Sequence, residues 1–382
     1  ENGIMIWQDF YFASTVYPRD EPFLAEIRRE ADDMVRRLRN HTCLSAWCGD
    51  NESDMFEYDR GDDFTKNPIN RGILPDALDR LDPQGRFFQV SSPGGDNNPR
   101  SDWAGDKRNW GAWAPTGNYD WARRECARFV SEAGAQALPA QEAIDRFIPP
   151  GRQWPLDNRT WRHHMGDLDR ARRPGHRRIY QECRMFEEPR DLEHAIRLSQ
   201  FAQAWGLKTL VERCRRRKKP AAPGHPYECG GIMIWKIGEC WPCSNLGLLD
   251  YRLHPMRAYH WIRKAYEPVA VSLNQDLDDP RADVEVWLVN DLDRPVAGTL
   301  AVQALEIDED GAVETVRRTE SRAVEAPPDS SEPCLALSVS RLDPEKTVIR
   351  ALFEETEGTL RHDTTFTLTP PPAWRYHRGR MP

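Results

Sequence analysis

The chain of 382 residues is long enough for two domains and a substantial core, with 39% hydrophobic and 30% charged residues. It has no apolar run near the ~20 residues that a membrane span needs. Its net charge of -8 argues against a dedicated nucleic-acid binder, whose affinity rests on a positive surface.

"GIMIWQDF", residues 3–10, reads as a short buried strand ending in polar groups. "EPFLAEIRREADDMVRRLRN" follows, with apolar positions Phe23, Leu24, Ile27, Ala31, Met34, Val35 and Leu38 on one helical face and charges on the other. "CLSAWCGDNE" is then a compact strand, so the opening predicts a βαβ unit with parallel strands. Further strands are predicted at "RFFQVSSP", "NWGAWA", "RFVSEAG" and "GGIMIWKIG", with a long helix from Asp191 to Arg217 before the last of these. Loops rich in Gly, Pro, Asn and Asp, notably "SSPGGDNNPRSDWAGD", follow the strands, where the active-site loops of an α/β barrel lie. Near residue 270 the pattern changes. "VEVWLVND", "GTLAVQALEI", "CLALSVS", "TVIRALFE" and "TTFTLT" are short alternating segments that predict an antiparallel β-sandwich. The expected domains are thus 1–270 and 271–382.

Nine cysteines, an odd number without a framework of spacings, predict mostly free thiols in a reducing or neutral setting, which leans towards the cytoplasm. Cys240 to Cys243, "CWPC", has redox-dithiol spacing but lacks the strand-then-helix context of a thioredoxin-like motif. "RCRRRKKP", Arg213 to Pro220, reads as the solvated, dipole-complementing end of the long helix in preference to a nucleic-acid patch. His163 and His164 have no third ligand at metal spacing, and no cofactor is expected. Fourteen tryptophans serve equally for core packing and for stacking on sugar rings.

Among 61 acidic residues, position selects two. Glu52 in "GDNES" and Glu132 in "VSEAG" each end a short apolar strand. Strand C-termini of a barrel converge on one face, where two carboxyls ~5–5.5 Å apart can act as the acid and the nucleophile of a retaining glycosidase. The alternative for either residue is an ordinary surface carboxylate or structural ion pair.

"VRRLRNHTCLSAWCGDNE", "RFVSEAGAQALPA" and "GGIMIWKIGECWP", in that order, resemble glycoside hydrolase family 2, specifically its β-mannosidase branch. "GIMIWQDF", "SSPGGD" and "VWLVND" extend the resemblance over nearly the whole chain. It implies a (β/α)8 TIM barrel followed by an immunoglobulin-like β-sandwich, within the α/β class. The barrel is expected to be incomplete, beginning at the third strand, which would leave two open sheet edges and weak or no activity in the isolated chain. The implied function is a retaining exo-β-mannosidase acting on terminal β-mannose of an oligosaccharide or glycan, without a metal. Other exo-β-glycosidases of the family (exo-β-glucosaminidase or β-galactosidase-like) and a non-catalytic carbohydrate-binding remnant are the alternatives.

By the same resemblance, Glu52 matches the general acid/base and Glu132 the nucleophile. Asn51 matches the amide that bonds the sugar 2-hydroxyl, and Asp9 and Trp235 match positions that contact or enclose the terminal sugar. Trp110 and Trp241 are candidate pocket walls, while Trp47 reads as core. Three departures stand out: Asp50 where a neutral residue is usual, "KRNW" before Trp110, and Lys236, Gly238 and Glu239 in place of Gln, Asn and Asp.

Overall fold

The computed structural model describes residues 3–95, 97–113, 119–165, 175–218, 229–276, 278–279, 281–307 and 314–368. They form two compact units: residues 1–108 with 126–131, and residues 109–125 with 132–382.

The first unit is built on a parallel three-stranded sheet of order β1-β2-β3, formed by β1 (Ile6–Asp9), β2 (Leu44–Cys48) and β3 (Phe87–Gln89). Helix α1 (Glu21–Leu38) connects β1 to β2. It starts where the Asp20 carboxylate accepts the Phe23 N–H, with a proline in the first turn, and its last turn carries Arg36 and Arg37. Its expected face packs: Leu24, Ile27, Ala31, Met34 and Val35 are buried against Trp47, Ile69, Leu74 and Leu78. Two further helices, α2 (Ser53–Arg60) and α3 (Leu74–Leu81), lie between β2 and β3. Contrary to expectation, the opening strand is not buried, for Ile4 and Met5 are 67% and 78% exposed. β1 is an edge strand whose ladder partner among the described residues is β2 alone.

Two short strands, β4 (Lys107–Asn109) and β5 (Val130–Ala133), span the division between the units. "NWGAWA" is not a strand beyond Asn109, because Gly111–Trp113 forms a single tight 3-10 turn; its last residue, Ala114, lies outside the described residues.

The second unit continues through short helices α4 (Asp120–Arg123), α5 (Gln141–Ile144), α6 (Arg159–His164) and α7 (Gly175–Arg184) to the long α8 (Leu192–Arg216). Asp191 caps α8 by accepting the His194 N–H. β6 (Ile232–Ile234) and α9 (Arg257–Ala265) follow. The remainder is all-β, in two antiparallel sheets. One has the order β11-β8-β7, from β7 (Val269–Asn274), β8 (Val284–Asn290) and β11 (Ser330–Leu337). The other has the order β10-β9-β12-β13, from β9 (Val296–Ile307), β10 (Glu314–Ala326), β12 (Thr347–Glu355) and β13 (Arg361–Thr367). Alternate residues of both sheets, such as Val271, Val286, Leu300, Val302, Ile349 and Phe353, share one core, as in a β-sandwich.

The basic run at the end of α8 is consumed within this unit. Arg213 and Arg217 donate to the Glu125 carbonyl, and Arg215 donates to Ala265 O and to Asp291. Arg216 donates to Ser272 Oγ and Leu273 O, and Lys218 pairs with Asp291 and Asp329. The run is a set of ties and not a solvated tail; Lys219 and Pro220 lie outside the described residues.

His362 on β13 is buried among the same ties. Its Nδ1 accepts the Val271 N–H at 3.1 Å and its Nε2 faces the Lys264 carbonyl at 3.3 Å, the pattern of a neutral ring. Burial holds its pKa down at about 4. The unfolded state therefore takes up the proton first, and stability falls as pH drops from about 6.5 to about 4, by at most roughly 3 kcal/mol. Denaturant titrations across that window should show the fall in the parent and its loss in His362→Gln, which keeps an acceptor for Val271. Equal pH slopes in the two proteins would contradict the assignment.

Candidate active site

In the first unit, backbone pairing runs on past the ends of the strands. Gly49 N–H bonds Gln89 O, Asn51 N–H bonds Phe12 O, Ser14 N–H bonds Asn51 O, and Glu52 N–H bonds Ser92 O, all within 2.7 to 2.9 Å. A Cβ at Gly49 would lie 2.1 Å from Val90 O, so only glycine lets the chains close here. The pairing places Glu52 at the start of α2 with φ of +67°, and Ser14 opposite it with φ of +48°. Such left-handed non-glycine residues are uncommon and persist where surrounding contacts over-determine them.

Ser14 Oγ donates to Glu52 Oε2 at 3.0 Å and lies 3.4 Å from Asn51 Nδ2. Arg108 Nη2 donates to Asn51 Oδ1 at 2.6 Å and to Ser92 O at 3.1 Å, while Nη1 reaches Ser131 O at 3.3 Å. A guanidinium can only donate, so it fixes the amide with Oδ1 towards Arg108 and leaves Nδ2 as the donor. Arg108 also lies close enough to Asp9 to act on its charge. Burial raises Asp9 above the usual carboxylate range, opposed by Arg108 and by the hydrogen bond from Trp7 Nε1 at 2.9 Å. Asp9, Asn51 and Glu52 thus belong to one polar cluster, and Arg108 and Ser14 complete it. Sequence reasoning missed both: "KRNW" drew notice as a departure, but nothing in it shows which cation meets the amide.

Asp50, the odd residue of the motif, has a structural task. Its buried carboxylate accepts the Ser53 N–H at 2.8 Å and the Ser91 hydroxyl at 2.6 Å, and is bonded by Asn70 Nδ2. It therefore anchors the first turn of α2 beside Glu52. A second buried carboxylate, Asp106, receives the hydroxyls of Ser92 and Ser131 and the Gly94 N–H, which ties down Ser92 and Gly94 of the "SSPGGD" segment; its Asp96 lies outside the described residues.

In the second unit, Glu132 is 7% exposed, and Trp110 Nε1 donates to its Oε1 at 3.1 Å. Trp235 N–H bonds Ala133 O at 2.8 Å, and its side chain is half-exposed. A Cβ at Gly134 would lie 2.5 Å from Trp235 O and 2.8 Å from the Trp110 ring, so glycine permits the close approach of all three segments. Trp241 is placed differently, stacked on His164 at 5.6 Å and edge-on to His163. Trp47 is fully buried and donates to Asp82 Oδ2, as a core residue.

The remaining departures compensate one another. Lys236 Nζ pairs with Glu239 Oε2 at 2.7 Å, and Glu239 Oε1 accepts the Gly247 N–H at 2.6 Å. Cys243 donates to Glu239 at 3.2 Å and is pushed up by burial and by that carboxylate, while Cys240 is exposed and no helix opens at the "CWPC" segment. That environment stabilises a thiol and not a reactive thiolate. Among the described residues, no group of three or more His, Cys, Asp or Glu is placed to hold a metal, and no helix is long and apolar enough to cross a membrane.

Comparison with known proteins adds three findings. Residues 282–371 match the Mannosidase Ig/CBM-like domain family. The chain is 30% identical to "Beta-mannosidase B" of Thermothelomyces thermophilus over 328 residues, covering 76% of this chain and 37% of that protein, and 29% identical to the protein of the same name from Aspergillus niger over 81% and 38%. In structure it is similar to a β-D-mannosidase from Dictyoglomus thermophilum, with a TM-score of 0.84 at 28% identity over 97% of this chain and 43% of that one. An exo-chitosanase of Amycolatopsis orientalis shares the fold at a TM-score of 0.72 and 14% identity. The chain thus spans well under half the length of these relatives.

The Asp50 environment makes a measurable demand. Burial raises its pKa to about 7, against the hydrogen bonds from Ser91, Ser53 and Asn70. The folded state therefore holds a proton that the unfolded state has lost, and stability falls as pH rises from about 4 to about 7. Asp50→Asn should remove that slope and be more stable than the parent at pH 8 by on the order of 2–4 kcal/mol. Urea midpoints at pH 5 and pH 8 check this; a variant less stable at both pH values would refute it.

Proposed function

Because the chain belongs to glycoside hydrolase family 2, in its β-mannosidase branch, we propose that it carries the catalytic-domain and sandwich part of a retaining exo-β-mannosidase. In this reading residues 1–270 contribute (β/α)8-barrel elements and residues 271–382 the sandwich. The substrate is the terminal non-reducing β-D-mannose of an oligosaccharide or glycan.

Glu132 is the nucleophile and Glu52 the acid/base. Glu132 attacks the anomeric carbon while Glu52 protonates the leaving oxygen, giving a covalent glycosyl-enzyme. Glu52 then takes a proton from water, which displaces Glu132, so configuration is retained. The observation that carries the assignment is the contrast between the partners of the two carboxylates. Glu132 receives an indole N–H, which can only donate and offers no acceptor to a proton on that oxygen. Glu52 meets the Ser14 hydroxyl, which donates to a carboxylate and accepts from a carboxylic acid, so both states needed by an acid/base are accommodated. Asn51, oriented by Arg108, presents Nδ2 as the donor for the sugar 2-hydroxyl. Asp9 contacts the terminal sugar, and Trp235 and Trp110 enclose it. Trp241, packed on His163 and His164, has the weakest claim to a place in the wall.

In this protein Glu132→Gly should abolish hydrolysis of p-nitrophenyl β-D-mannoside, and added azide should restore turnover with a β-mannosyl azide product. Trp110→Phe should keep the fold and lower kcat by roughly a hundred- to a thousandfold, the scale for loss of one aligned donor. No azide product from Glu132→Gly would indicate a carbohydrate-binding remnant. Faster turnover of a β-glucosaminide or β-galactoside than of the mannoside would overturn the substrate assignment.

A further inference from the structure

The second unit contains a cleft enclosing about 580 Å³ of empty space, solvent included, between α4, α8, the end of β7 and the end of β13. Two arginines line it. Arg216, on the last turn of α8, is 6% exposed, and its donors meet only neutral oxygens: Ser272 Oγ at 2.5 Å, Leu273 O at 3.0 Å and Asn274 Oδ1 at 3.5 Å. Arg123, at the end of α4, is half-buried and reaches the Gln275 carbonyl at 3.5 Å. Among the described residues, no carboxylate lies within ion-pair distance of either guanidinium. The other cation of the wall, Lys208, is already paired with Glu212 at 2.8 Å. Burial pulls Arg216 down to about 10, with Glu212 and Glu285 opposing and Arg213 and Arg123 adding repulsion; burial also lowers Arg123, with Asp120 and Asp276 opposing. Two partly desolvated guanidinium groups that lack a direct ion pair among the described residues, beside Trp205 and Phe366, form an arrangement that a bound anion would relieve.

We propose that this cleft is a binding site for a small molecule bearing an oxyanion, phosphate or carboxylate, held by Arg123 and Arg216 with Trp205 and Phe366 against its apolar part. Planar forks of N–H donors match both oxyanions; of the cleft's other charges, Lys208 pairs with Glu212 and Asp120 with Arg124. The proposal stands apart from the glycosidase reading, since none of these residues belongs to the catalytic assignment.

The test is calorimetric titration of the full chain with inorganic phosphate, and separately with acetate, against sodium chloride at matched ionic strength and pH. Phosphate or acetate should bind saturably, raising the melting temperature above the chloride control, and the anion that binds more tightly identifies the headgroup. Arg123→Gln, checked for a parent-like circular dichroism spectrum, should weaken binding fivefold or more. Arg184→Gln, on an exposed residue paired with Glu188 and absent from the cleft wall, should leave it unchanged. Neither anion exceeding chloride, a loss under fivefold in Arg123→Gln, or an equal loss in Arg184→Gln would overturn the proposal.

Discussion

The first unit depends on one requirement: the backbone groups at the ends of very short parallel strands must stay paired after regular structure stops. β3 is three residues long, so its ladder alone leaves most of the neighbouring N–H and C=O groups unmet. The chain solves this by running isolated bridges Ala13 to Asn51 and Asn51 to Ser92 beyond the strands. The candidate acid and its neighbouring amide sit on those extra rungs. Their left-handed turn is the geometry that lets Glu52 N–H reach Ser92 O while α2 departs at once. The backbone that carries the proposed acid is therefore held by the same hydrogen bonds that complete the sheet.

Buried charge is the second constraint. Asp50, Asp106 and Glu239 are each nearly inaccessible, and an unpaired carboxylate in such a place costs several kcal/mol. Each is surrounded by donors: Ser91, Ser53 and Asn70 for the first, Ser92, Ser131 and Gly94 for the second, Lys236, Gly247 and Cys243 for the third. Asp50 and Glu239 lie within a few residues of Glu52 and Trp235 along the chain, and Asp106 bonds Ser131, the residue before Glu132. Most of the acid in the motif regions is thus scaffolding, and only hydrogen-bond partners separate it from the carboxylates proposed for chemistry.

What could be read from the sequence follows from the same physics. α1 was legible because its apolar residues recur on one helical face, and the structure begins and ends both α1 and α8 within a residue or two of expectation. The sandwich strands were legible by alternation, except β10 and β7. β10, "ETVRRTESRAVEA", is an edge strand of the four-stranded sheet whose charged residues hide its apolar alternation, and β7, "VAVSLN", falls on the composition boundary. β1 looked buried because Ile and Met usually are, yet burial depends on what covers a strand, which its own residues do not encode. Arg108 and Ser14 were invisible for a related reason. Each meets Asn51 or Glu52 across 37 to 57 positions of chain, so no local pattern carries the signal.

The departures from the family motif also change meaning once they are taken together. Lys236 and Glu239, viewed singly, replace neutral or shorter groups and look like an altered pocket floor. As a pair at 2.7 Å they neutralise each other, and Glu239 turns its other oxygen to the Gly247 backbone. A Cβ at Gly247 would come 2.9 Å from that same oxygen, so the glycine, the glutamate and the lysine form one unit of packing. Asp50 is likewise intelligible only with Asn70 and Ser91, neither of which lies in the "WCGDNE" segment. Removing Lys236 alone would strand the buried Glu239 charge, whereas the pair is balanced. The departures at Lys236 and Glu239 therefore act as one pair, and a motif compared one position at a time overstates the change that they make.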